Sequence, residues 1–140
     1  MIAMPATLLT AIVTILAVLF YFYTGWQVGA MRGKHSIKAP AVTGHPEFEC
    51  AYRVQMNTLE HFVIFLPLLW LATLYFRTWG WLPALVGLVW IFGRVLYMTG
   101  YMAAPEKRET GFTIAAIALL ALLVLSIVGI VQSWTAATTA

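Results

Sequence analysis

Between Arg53 and His61 the chain reads Arg-Val-Gln-Met-Asn-Thr-Leu-Glu-His, directly upstream of the apolar run Phe62-Val63-Ile64-Phe65-Leu66. A cation, two amides, a carboxylate and an imidazole thus enter a segment that reads as membrane-buried. On a helix, residues three or four apart share a face. Arg53, Asn57 and Glu60 therefore make one polar stripe, with His61 one turn beyond Asn57. Arg94, Tyr97 and Tyr101 repeat the spacing as a second stripe. Ionisable groups entering a bilayer cost roughly 2.5–3.5 kcal/mol each on insertion scales, so by default they face protein and mark a site. A helix that merely starts in water accounts for Arg53 but poorly for Glu60.

Arginines in excess around one carboxylate suit a small anionic ligand that also carries an ammonium group. Guanidinium forks bind carboxylates bidentately, and Glu60 would take the ammonium. Glutathione has this pattern: two carboxylates, one amine and a thiol. A free thiol has a pKa of about 8.5, and a neighbouring cation lowers it and raises the thiolate fraction at neutral pH. A hydrophobic electrophile could then arrive sideways from the bilayer.

The composition sets where such a site sits. The 140 residues are 62% hydrophobic and 9% charged, with a mean hydropathy of +0.88, which excludes an ordinary soluble domain. The apolar surface exceeds what one core of this size buries, so the excess faces lipid. A net charge of +3 without a basic tract gives nucleic-acid binding no support. Cys50 is the one cysteine. It forms no internal disulfide and is more often a small packing residue than a catalytic thiol.

Four runs are long enough for transmembrane helices of about 20 residues. The reading is all-α: an integral membrane four-helix bundle in a single domain, 1–140, with helices at about 5–28, 46–76, 82–102 and 110–134. The first run has no basic residue ahead of it and no clear cleavage site, so it is read as retained. Its second end carries Tyr21, Phe22, Tyr23 and Trp26, as an interfacial belt does. A polar loop is expected over 30–46. Pro46 then opens helix 2, with Glu47 and Glu49 complementing the dipole. Helix 2 would be about 45 Å long, so its first turns stand in the headgroup region or line a wet cavity. Pro67 predicts a kink within it. Helix 4, apolar on every side until Gln132, is expected to carry no chemistry.

Arg32, Lys34 and Lys38 follow helix 1, and Lys107 and Arg108 follow helix 3, whereas Arg77 stands alone on the opposite side. Both basic loops should be cytoplasmic and both termini on the other side. The compact loops suggest a bacterial inner membrane. Glu60 lies about 10 Å deeper than Arg53, and Arg94 about 10 Å deeper than Tyr101, at 1.5 Å per residue. Glu60 should then meet Arg94 at one depth, and Arg53 meet Tyr101 nearer the surface. With Arg108 and Arg32 they would ring a basic cavity. An internal Glu60–Arg94 salt bridge tying the bundle together is the plainer alternative, and both roles can coexist.

Pro46-Glu47-Phe48-Glu49, Tyr52-Arg53-Val54-Gln55-Met56-Asn57-Thr58-Leu59-Glu60 and Gly93-Arg94-Val95-Leu96-Tyr97-Met98-Thr99-Gly100-Tyr101 resemble the MAPEG superfamily, the membrane-associated proteins in eicosanoid and glutathione metabolism. The resemblance is strongest to its microsomal glutathione S-transferase and leukotriene-C synthase branch. It implies a homotrimer of four-helix protomers with glutathione bound between neighbours near the cytoplasmic side. Carried over by motif, Arg53, Asn57, Glu60, Tyr97 and Tyr101 would bind glutathione, assisted by Gln55, with Arg94 at the floor. Arg108 stands where the thiol-activating arginine is expected, and Arg32 at a basic position after helix 1. His61 replaces an aromatic, and Gly33 follows Arg32 where the synthase branch has a second arginine. Both departures favour a general detoxifying transferase or lipid-peroxide peroxidase over an eicosanoid synthase.

His61 counts among the candidate ligands, although a helix-borne histidine beside a polar cavity is more often a packing residue. No metal site is expected, because His35, His45 and His61 show no paired helical spacing with one another or with a nearby carboxylate. Two rival functions remain: a non-catalytic member that binds a lipid or partner in the same cleft, and a small four-helix transporter. The transporter would need a deep carboxylate on helix 1, which has none.

Overall fold

The computed structural model describes residues 5–139, so the two ends of the expected 1–140 span lie outside it. Four helices, α1 (Ala6–His35), α2 (Pro46–Tyr75), α3 (Leu82–Ala103) and α4 (Glu109–Thr138), run in succession, with a 3-10 turn over Pro105–Arg108 ahead of α4. No strand occurs among the described residues. All four helices are long and apolar enough to cross a membrane. Short connections make consecutive helices antiparallel. The α1–α2 loop and the α3–α4 turn therefore share one end of the bundle.

α1 is longer than the sequence reading allows. It continues past Val28 to His35, through residues expected to be loop. Nothing before Ser36 breaks it, and Arg32, Lys34 and His35 fill its last turn, where cations meet the free carbonyls. Ser36 ends it in the left-handed region, at φ 55°, and the Ile37 N–H closes on the Arg32 carbonyl at 3.0 Å. α2 opens on Pro46, with His45 Nδ1 accepting the Glu47 N–H at 3.2 Å. It remains one helix through Pro67.

Each helix buries one narrow stripe: Val13, Ala17 and Phe20 on α1, Val54, Thr58, His61 and Phe65 on α2, Trp90, Arg94 and Tyr97 on α3. Trp90 stacks on Phe65 at 3.9 Å between centroids. The remaining faces carry large apolar side chains outward, as in Phe22, Val63 and Trp134, each about two-thirds exposed or more. That surface matches lipid, not water. Hydroxyl groups tie the helices inside it. Thr10 and Thr73 pair at 2.7 Å between α1 and α2, and Ser126 donates to the Leu68 carbonyl at 3.1 Å between α4 and α2.

α4 buries mostly small residues, among them Gly111, Ala115, Ala118 and Gly129. In lipid the hydrophobic effect does not drive helices together, so close backbone approach does. Gly111 lies against the backbone of Leu96 and Tyr97, and a Cβ on Gly93 would come within 2.7 Å of the Ala115 nitrogen. This contact fixes the second polar stripe against the first turns of α4. Gly111→Val puts a side chain into backbone that cannot yield. It should lower the thermal transition of the detergent-solubilised protein by about 3–10 °C. An unchanged transition would refute this packing.

Candidate functional site

A cavity of 490 Å3 lies at the loop end of the bundle among α2, α3 and α4. Arg53, Asn57, Tyr97, Tyr101 and Arg108 line it, together with Glu109, Phe112 and Thr113. Each arrives for a local reason. Arg53 and Asn57 are one turn apart on α2, and Tyr97 and Tyr101 one turn apart on α3. Arg108 is delivered by the 3-10 turn that swings the chain from α3 into α4. Gly100 allows that turn, since it lies directly against the Lys107 carbonyl.

Aromatic rings set the arginine heads. The Arg108 guanidinium lies 5.1 Å over the Tyr101 ring, and that of Arg94 lies 4.1 Å over Tyr97. Tyr97 and Tyr101 meet edge to face at 5.5 Å. Arg53 and Arg108 are exposed, so both heads are free to meet a solute. The 3-10 turn runs directly into α4 at this same end.

Arg94 is wholly buried and reaches the cavity only through a neighbour. Its Nη1 donates to Asn57 Oδ1 at 3.0 Å and its Nη2 to Thr58 Oγ1 at 2.7 Å. Asn57 Nδ2 in turn donates to Glu60 Oε2 at 3.1 Å. The expected direct Glu60–Arg94 salt bridge does not form among the described residues; the Asn57 amide stands between the two charges. Only this orientation of the amide serves both, its oxygen to the cation and its nitrogen to the carboxylate. Glu60 is exposed and sits beside the cavity through Asn57.

Three other expected site residues lie elsewhere in this chain. Arg32 donates to the Ala41 carbonyl at 2.8 Å, with its guanidinium 4.6 Å over Phe48. Gln55 faces α1, where a Cβ on Gly25 would come within 3.1 Å of its Nε2. His61 is buried and packs edge-on against Phe112 at 5.5 Å. It lines a second, apolar groove of 330 Å3 with Ile64 and Leu68 of α2 and Ala116, Leu119, Leu120 and Leu123 of α4. Phe112, which lines the cavity, packs against the His61 that lines this groove.

α4, expected to carry no chemistry, reaches the cavity in its first two turns. Glu109, Phe112 and Thr113 line the cavity. Glu109 and Thr113 are one turn apart and polar, a signal that the long apolar run after them conceals. A second surprise is a cluster of His35, His45 and Glu47 at the α1–α2 junction, whose potential ligand atoms lie within 4.8 Å of one another. Helical spacing cannot reveal it, because a loop brings the two histidines together.

Comparison with known proteins places this arrangement among relatives. The MAPEG family model matches residues 10–128. Microsomal glutathione S-transferase 2 of Homo sapiens is 41% identical over 128 residues, covering 91% of this chain and 86% of that protein. Leukotriene C4 synthase of Cavia porcellus is 40% identical over 129 residues, covering 92% and 85%. An uncharacterised protein of Synechocystis sp. is 42% identical over 108 residues, covering 77% of each chain.

Proposed function

The chain belongs to the MAPEG family and is an integral membrane protein, and from that premise we propose that it is a glutathione transferase acting on lipophilic electrophiles. The observation that carries this reading is the convergence of Arg53 and Arg108 with Asn57, Tyr97 and Tyr101 on one cavity. Two guanidinium groups there are free for carboxylate or thiolate, and the polar rim suits a peptide.

In this reading Arg53 holds a glutathione carboxylate, and Glu60 takes the ammonium beside it. Asn57 and the two tyrosines complete the hydrogen bonding. Arg108, at the positive end of α4, stabilises the thiolate, whose proton leaves to water. The sulfur then forms its bond to an electrophilic carbon, and the leaving group departs with the electron pair. With a lipid hydroperoxide the sulfur instead takes the terminal oxygen and releases the alcohol. A second glutathione reduces the resulting sulfenic acid, giving disulfide and water. The apolar groove supports the lipophilic class, since it would admit a substrate from the bilayer beside His61, which packs against the cavity-lining Phe112.

Arg32 and Gln55 fit the same reading only if copies of the chain share a site. In a homotrimer one protomer would supply the cavity and its neighbour Arg32 and Gln55. The cavity end also carries Lys34, Lys38 and Lys107, against Arg77 alone at the other end. This supports a cytoplasmic site with both termini opposite.

Purified protein should conjugate glutathione to a generic aryl halide, saturably in glutathione. A rate no higher than the spontaneous reaction would sink the proposal and leave a ligand-binding role. Arg94 acts here as a positioning residue. Arg94→Leu leaves Asn57 Oδ1 and Thr58 Oγ1 without their donor, so glutathione affinity should fall about tenfold, a loss of the size expected for a charged hydrogen bond. Arg94→Lys should not restore it, because one ammonium does not span both acceptors. Full rescue by lysine would show that charge alone matters.

A further inference from the structure

The C-terminus of α1 and the N-terminus of α2 meet outside the apolar part of the bundle, and three potential metal ligands gather there. The His35 and His45 rings stack face to face, 3.5 Å between centroids and 11° from parallel. His35 Nε2 lies 2.9 Å from Glu47 Oε2. His45 Nδ1 accepts the Glu47 N–H at 3.2 Å, so it already presents a lone pair to this corner and not a proton. One ring nitrogen of each histidine and a Glu47 carboxylate oxygen fall within 4.8 Å of one another. None of the three lines the cavity described above.

We propose that His35, His45 and Glu47 form a binding site for a divalent transition cation of the Zn2+ class, which clasps the end of α1 to the start of α2. Two imidazoles and one carboxylate are a donor set that suits zinc and its borderline neighbours. A hard cation such as Ca2+ asks for six or more oxygens, which this corner does not supply. Bonds of about 2.0–2.2 Å in tetrahedral array put donors about 3.3–3.6 Å apart. His35 and Glu47 are already closer than that. His45 has only to tilt out of the stack, because a bound ion lies in the plane of the ring that holds it.

The ion would take the lone pair on His45 Nδ1, freeing the Glu47 N–H to bond water at this exposed helix start. Water would complete the coordination.

Two features make the site selective and testable. Lys34 Nζ sits 2.6 Å from the same Glu47 Oε2 and competes with any cation for it. Its side chain is more than half exposed, so it can swing away. The clasp also closes the loop that holds Arg32 through the Ala41 carbonyl. Metal binding therefore stabilises the folded junction, as any ligand of the folded state does.

The test uses the full chain in detergent, ZnCl2 as the probe, calorimetric titration and the thermal transition. Zn2+ should bind saturably at one ion per chain and raise the transition by several degrees, and a chelator should reverse the rise. His45→Asn keeps a capping side chain at the helix start but removes the imidazole, and Glu47→Gln keeps the shape but removes the charge. Both should weaken Zn2+ binding at least tenfold while the metal-free transition moves little. Lys34→Met should tighten binding several-fold. Parental affinity in His45→Asn, an equal response to Ca2+, or saturable binding without a rise in the transition would each overturn the proposal.

Discussion

Arg108→Ala should lower conjugation turnover by about 10- to 100-fold at pH 7, while glutathione affinity falls by only about fourfold. An unassisted thiol with a pKa of about 8.5 is only a few per cent thiolate at pH 7. A cation within about 4–6 Å lowers such a pKa by about 1–3 units. For a shift of about two units the thiolate fraction at pH 7 rises roughly 25-fold, and this is what alanine forfeits. Part of that gain is offset because a less basic thiolate is a weaker nucleophile. The direct attraction between Arg108 and the charge that persists in the transition state adds to the loss.

Arg108 lowers the thiol pKa, so its benefit is greatest below the free thiol's pKa and fades as the pH rises past it. The turnover ratio of parent to variant should therefore shrink steadily between about pH 6.5 and 9. A constant ratio across that range would assign Arg108 a packing role over Tyr101 instead.

Arg53→Ala should act on the other parameter. Arg53 enters the cavity from α2, whereas Arg108 comes from the 3-10 turn ahead of α4. A carboxylate held there is held equally in ground and transition states, so the contact is uniform binding. A charged hydrogen bond is worth about 1.5–3 kcal/mol, which corresponds to glutathione binding about 10- to 100-fold weaker. Turnover at saturating glutathione should stay within about threefold of the parent. Titration calorimetry and the dependence of rate on glutathione both report it. A collapse of turnover with unchanged affinity would exchange the roles given to the two arginines.

Much of this site was legible because helices convert sequence spacing into faces. Arg53 with Asn57, and Tyr97 with Tyr101, could be paired from the 3.6-residue period and matched in depth from the rise per residue. Both pairs line one cavity. Depth alone misjudged Arg94. A long guanidinium reaches sideways to Asn57 and Thr58, and rise along an axis says nothing of reach or azimuth.

The 3-10 turn that aims Arg108 inward depends on Gly100 lying against Lys107, a contact between helices that one-dimensional spacing does not encode. Phe112 and Thr113 were hidden by the uniform apolarity of α4. The end of α1 was misplaced because glycine lowers helix propensity but does not by itself stop a helix anchored by packing. His35 and His45 are brought together by a loop whose path no periodicity predicts.

This cavity is expected to hold glutathione as its thiolate. Mixing the purified protein with glutathione near pH 6.5 and following ultraviolet thiolate absorbance measures that species without any second substrate. Absorbance should saturate at a fixed number of thiolates per protein and be largely lost in Arg108→Ala. Saturable glutathione binding with no thiolate signal, or an equal signal in parent and variant, would contradict that expectation.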